Sequence, residues 1–159
     1  MSNPDQVELV VRMLLAFGLG AAVGLEREFR GHEAGVRTMG LACLGAAIFG
    51  EVSSAAGDSR IAAGVVQGVG FLAAGVVFQR GSGVIGLTTA VTVWVMAGIG
   101  LFVAEDLLLA AVLLTAGVIL TLELSPVSEW VAAKARPDAA ARRFRETMAA
   151  GEGADADEE

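Results

Sequence analysis

Residues 69–102 read VGFLAAGVVFQRGSGVIGLTTAVTVWVMAGIGLF, and in these 34 residues a single charge, Arg80, interrupts the apolar chain. A helix crosses the ~30 Å hydrocarbon core of a bilayer with about 20 apolar residues at 1.5 Å rise each. The stretch is therefore the end of one crossing and nearly all of a second, Ile61–Gln79 and Gly86–Ala104. The same criterion applied outward gives three more: Val7–Leu25, Thr38–Ala55 and Leu107–Leu124. Glycine and β-branched residues inside them are common in membrane helices, where they let backbones approach closely. The fold class expected is all-α: a polytopic membrane protein of five transmembrane helices.

Composition agrees. Of 159 residues 55% are hydrophobic and 18% charged, below the quarter usual in soluble domains. The net charge of −7 is mostly the acidic end, where Glu152, Asp155, Asp157, Glu158 and Glu159 lie together. There is no basic face with interleaved aromatics, so no nucleic-acid partner is expected. Cys43, the sole cysteine, has no disulfide partner in the chain and reads as a packing residue. The first apolar stretch ends in charged GLERE rather than a small-residue cleavage site, which argues against a cleaved signal peptide.

Loop charge sets orientation. Arg27, Arg30, Arg37, Arg80, Lys134, Arg136, Arg142, Arg143 and Arg145 fall on one side, and only Arg12 and Arg60 on the other. The expectation is a multi-pass membrane protein with its N-terminus outside and its C-terminus cytoplasmic. Residues 1–125 form the membrane domain. Residues 126–149, with Trp130, Phe144 and a basic cluster, read as an amphipathic segment on the inner leaflet. Residues 150–159 read as a disordered acidic tail.

Two segments resemble each other: FGLGAAVGLEREFRGHEAGVRT (17–38) and VGFLAAGVVFQRGSGVIGLTT (69–89). Each is a glycine-spaced helix end, then Arg-Gly, a short loop and a Gly-Val/Leu-x-Thr start. They read as two parallel helical hairpins followed by a fifth helix, or as the recurrence of Gly and Arg at any inner membrane boundary.

Three groups of residues are candidates for function. Gly20 with Gly24, and Gly64 with Gly68, are spaced by four and put glycine on one helix face, predicting tight packing within the chain or across a homodimer. A polar cluster at the inner boundary comprises Glu26, Arg27, Glu28, Arg37, Thr38, Arg80, Thr88 and Thr89. Carboxylates there suit magnesium, with Glu26 the first metal candidate, although Glu26 and Glu28 are two apart and diverge on a helix; ion pairing among the loop charges is the competing account. Gln67 and Thr92 are polar within apolar spans: threonine bonds its own helix carbonyl, and Gln67 is expected to reach another helix. Arg12 is near enough to the outer surface to snorkel, and Glu51 lies near a helix end. No nucleophile–base pair is present, His32 lacks a metal partner set, and the glycine patterns sit in membrane helices, so no enzyme activity is expected.

GLEREFRGHEAGVRTMGLACLGAAIF (24–49) followed by GFLAAGVVFQRGSGVIGLTTAVTVWVMAGIGL (70–101) strongly resembles the membrane domain of the MgtC/SapB family over about Val7–Leu124. The resemblance implies a bacterial inner-membrane protein linked to magnesium homeostasis, with magnesium a possible ligand rather than a cofactor. It also implies action through a partner, of which the F-type ATP synthase is one proposed for relatives. Glu26, Arg27, Glu28, Arg37, Thr38, Arg80, Gly86, Thr89 and Trp94 occupy the family's characteristic positions. Thr88 stands where many relatives have Asn, and Val95 where many have Cys. The tail is too short and polar for the ACT-like domain of longer relatives. Two functions follow as expectations: a non-enzymatic regulator acting through a partner, or a magnesium or small-solute transporter working as a dimer.

Overall fold

The computed structural model describes residues 3–32, 34–80 and 83–124, with the side chains of 3–5 and 78–84 outside the description. The segments 126–149 and 150–159 lie outside the described residues. Five helices follow one another: α1 (Asn3–Phe29), α2 (Val36–Ala56), α3 (Ser59–Ala74), α4 (Leu87–Ala104) and α5 (Leu108–Glu123). The fold is all-helical apart from one short ribbon, β1 (Phe78–Arg80) antiparallel to β2 (Gly83–Ile85), with Phe78 opposite Ile85. The bundle belongs to the first of two compact units, Met1–Leu120 and Thr121–Glu159.

The third helix departs from expectation. It ends at Ala74 with Gly75 as its C-cap, five residues before Gln79. Beyond Gly75 come Val76, Val77 and Phe78, residues that favour extended backbone. They lead into the ribbon, and Gly86 in the left-handed region (φ 83°) turns the chain into α4. A side chain at Gly86 would strike the Val76 carbonyl oxygen, so this corner requires glycine twice over. α1, α2 and α4 are long and apolar enough to cross a membrane. α3 and α5, at 16 residues, are about 24 Å long and shorter than a usual crossing.

Three helix ends share one stop. After α1, Gly31 (φ 74°) lets His32 N–H bond the Arg27 carbonyl and its own N–H bond Glu28. After α2, Gly57 (φ 63°) and Asp58 repeat the pattern on Ser54 and Ser53. After α4, Asp106 (φ 60°) does so without glycine, its N–H bonding Val103 and that of Leu107 bonding Phe102. This paired arrangement satisfies carbonyls that a helix end leaves open.

α2 is the central helix, packed against α1, α3 and α4, while α3 and α1 also meet α4. The core is made of small or slender groups: Ala16, Val23, Met39, Cys43, Ala46, Ala47, Met96, Ala97 and Ile99. Large apolar side chains face outward instead, with Phe29 83%, Phe71 82% and Leu109 74% exposed. In water such a surface would be an association site. In a bilayer it is matched to the lipid tails, and helices join by close packing instead of by escaping water.

Gly20 and Gly24 do what their spacing predicts. A Cβ on Gly20 would collide with the Met39 carbonyl oxygen, and one on Gly24 would lie 2.6 Å from Val36 Cα. Gly64 and Gly68 do not: no heavy atom lies within 4 Å of the Cβ position of either. They line an apolar groove of about 480 Å³ between α2 and α3, together with Leu41, Phe49 and Leu72. The difference is one of helix orientation, because α3 turns Val69 and Ala73, not its glycines, into the bundle.

Gly24→Val should therefore destabilise the bundle by about 1–3 kcal/mol or more through overpacking against backbone. Gly64→Val should leave the folded single chain within about 0.5 kcal/mol. Equilibrium unfolding in mixed micelles measures both.

Candidate functional site

The end of α1 places Glu26, Arg27 and Glu28 in three directions, and Arg30, in the turn after it, comes back to the side of Glu26. Successive side chains step by about 100°, so Glu26 and Glu28 diverge. Glu26 turns inward, its side chain 9% exposed, and Arg30 Nε lies 2.8 Å from its Oε1 as an i,i+4 ion pair. Glu28 reaches the start of α2 instead, where its Oε2 accepts the Val36 N–H at 3.1 Å. Gly35, the N-cap, supplies no side chain of its own, and a Cβ there would lie 2.5 Å from that Oε2. A carboxylate from α1 thus caps α2 and complements its positive end.

Arg27 is the most buried charge described, 3% exposed. Its Nη2 donates to Thr89 Oγ1 at 2.9 Å, joining α1 to the first turn of α4. Its Nη1 stands 4.0 Å from Glu26 Oε2. Among the described residues its Nε has no hydrogen-bond partner, nor does either carboxylate oxygen of Glu26, the Arg30 contact being an ion pair without hydrogen-bond alignment. The cluster gathers two guanidiniums around one carboxylate.

The structure brings Glu26, Arg27 and Thr89 together and leaves the other candidates apart. Arg37 and Thr38 are exposed at the start of α2, lining with Glu28 and His32 a hollow of about 220 Å³. Thr88 is exposed. Arg80 lies in β1, and its side chain is outside the description. Thr92 donates to the Thr88 carbonyl at 2.7 Å, the helix-internal bond expected of it. Gln67 is exposed on α3 and is not brought to another helix. Trp94 spans α4 to α3, its Nε1 donating to the Val66 carbonyl at 3.3 Å.

One pair escaped sequence reading. Arg12 is expected to snorkel and Glu51 only to lie near a helix end, yet Arg12 Nη1 lies 3.1 Å from Glu51 Oε1, with Glu8 3.6 Å from Nη2. The hairpin carried the signal. Gly24 meets Val36 and Gly20 meets Met39, so each step back along α1 is a step forward along α2, and Arg12 falls within about a turn of Glu51.

The surroundings of Glu26 bear on its expected role toward magnesium. The ion prefers one or two carboxylates with retained waters. Glu26 is a single carboxylate already flanked by two cations, Glu28 is engaged elsewhere, and no group of three His, Cys, Asp or Glu suited to a metal occurs among the described residues.

The sequence model of the MgtC family matches residues 13–130. An uncharacterized protein of Haemophilus influenzae is 35% identical over 149 residues, covering 84% of this chain and 63% of that protein. Protein MgtC of Brucella abortus is 44% identical over 108 residues, 65% of this chain and 45% of its own length. Protein MgtC of Salmonella typhimurium is 46% identical over 94 residues, 57% of this chain and 41% of its own. The chain thus spans about half the length of the curated relatives it matches. No solved structure matches it.

A double-mutant cycle on Arg27→Gln and Thr89→Val tests the α1–α4 link. Thr89→Val alone should cost about 1.5–3 kcal/mol, the range for a hydrogen bond to a charged group. The pair should couple by roughly 1 kcal/mol or more. Single costs that simply add would remove this bond from the account.

Proposed function

The chain belongs to the MgtC family, and from that premise we propose that it is a non-enzymatic inner-membrane protein that acts in magnesium homeostasis as a regulator, through a membrane partner. The F-type ATP synthase is the candidate partner that the family resemblance supplies. The membrane setting rests on the outward-facing large apolar side chains and three helices of spanning length. The observation that carries the regulatory reading is where the polar groups are spent. Arg27 ties Thr89, Arg12 ties Glu51, Glu28 caps α2, and Thr92 bonds its own helix. Each holds helices together or satisfies backbone. A solute path through the chain would instead need such groups lining one continuous opening, and Gln67 and Thr88, which the path would use, are on the outside.

Reconstitution tests the choice. Full-length chain in liposomes loaded with a magnesium-sensitive dye should give no influx above protein-free vesicles. In a strain lacking the gene, the chain should restore growth at low magnesium and Arg27→Gln should not. Magnesium influx abolished by Glu26→Gln would overturn the regulatory reading in favour of a dimeric transporter. The proposed orientation rests on the loop arginines: a cytoplasm-dependent reporter fused after Met148 should be active, and activity only from a periplasm-dependent one reverses it.

A further inference from the structure

We propose that Arg27, Arg30 and Thr89, with the first turn of α4, which no side chain among the described residues caps, bind a phosphate-type anion at this end of the bundle. Three independent features converge there. The first is charge. Glu26 stands between two guanidiniums, Arg30 Nε at 2.8 Å and Arg27 Nη1 at 4.0 Å, two positive charges on one carboxylate, with Arg27 buried and Arg30 part-exposed at the rim. The second is an unsatisfied donor: Arg27 is 3% exposed, and its buried Nε has no hydrogen-bond partner among the described residues. A buried donor of this kind is costly unless something accepts from it.

The third is the helix that Arg27 reaches. α4 has 18 residues, its N-cap Gly86 contributes no side-chain bond, and its first helical bond is Ala90 N–H to the Gly86 carbonyl. The N–H groups of Leu87, Thr88 and Thr89 precede that bond and form the positive end of the helix. Arg27 places a second positive charge against it by donating to Thr89 Oγ1. The Glu26 carboxylate, 4.0 Å from Nη1, offsets the guanidinium from its other side and leaves the helix end itself unanswered; helix N-termini with arginine are a recurrent phosphate arrangement. Because Thr89 accepts from Arg27, its hydroxyl proton remains to donate. Gly86 cannot be replaced by a capping side chain, since its Cβ would strike the Val76 carbonyl oxygen.

The phosphate has two sources of the same chemistry, a phospholipid headgroup or free phosphate. Leu87 and Ile85 beside the turn, and Leu25 and Phe29 on α1, are exposed apolar groups that a lipid's glycerol and acyl portions would cover. This inference does not depend on whether the chain regulates or transports.

The test uses the full chain in phosphatidylcholine nanodiscs carrying a trace of labelled phosphatidylglycerol, and separately in detergent with inorganic phosphate. Melting temperature checks each variant's fold. Arg30→Gln should weaken anion binding at least about tenfold, the loss of one charge-assisted contact. Glu26→Gln should strengthen it, because it raises the net positive charge. The opposite signs separate binding from structural damage, and Glu26→Gln keeps the test alive if Arg30→Gln does not fold. Phosphatidylglycerol retained and unmoved by phosphate identifies a lipid headgroup. Phosphate binding in detergent identifies a soluble anion. Binding of neither above background, or Glu26→Gln weakening binding together with Arg30→Gln, overturns the proposal.

Discussion

Arg27 carries a charge into a position only 3% exposed, where apolar side chains and acyl tails offer nothing to answer it. Within the chain two residues do: Thr89 on α4 accepts one N–H, and Glu26 stands beside the other side of the guanidinium. Ionisable groups within a membrane are expensive and therefore paired. The need to partner Arg27 fixes where the first turn of α4 must lie relative to the end of α1, and the ribbon and Gly86 are the device that delivers it there. With Arg27 held, Arg30 and Glu28 project from the same helix end to their own partners, the Glu26 carboxylate and the start of α2.

The apolar part of the structure follows a different logic. Between membrane helices there is no water to escape from, so contact depends on how closely backbones approach. Gly20 and Gly24 let α2 rest on α1, and Gly100 does the same for α2 and α4, where a Cβ would strike the Cys43 carbonyl oxygen. The bulky residues are left to the lipid. Arg12 and Glu51 close the opposite end of the α1–α2 hairpin with an ion pair, so that pair of helices is fixed by charge at both ends and by glycine between them.

Much of this was legible in the sequence. Helix number and order follow from apolar run length, and the packing of Gly20 and Gly24 follows from their spacing. What was not legible depended on facing. Gly64 and Gly68 have the same spacing, yet face an open groove, because spacing says that two residues share a side without saying which side. Gln67 went astray for the same reason. The end of α3 was misplaced because hydropathy does not distinguish a helix from a Val-Val-Phe ribbon. In the polar cluster, residue identity and the divergence of Glu26 from Glu28 could be read. The Arg27–Thr89 link could not, since it joins residues 62 apart through a loop of irregular shape.

The distance between the ends of α1 and α4 reports whether Arg27 holds these two helices in place. Spin labels at Phe29→Cys and Val91→Cys, in a Cys43→Ala background, report it by pulsed electron resonance in nanodiscs. The account predicts one narrow distribution in the otherwise native chain and a broadened or shifted one with Arg27→Gln. An unchanged distribution in that variant would show that the buried guanidinium does not hold α4 in place.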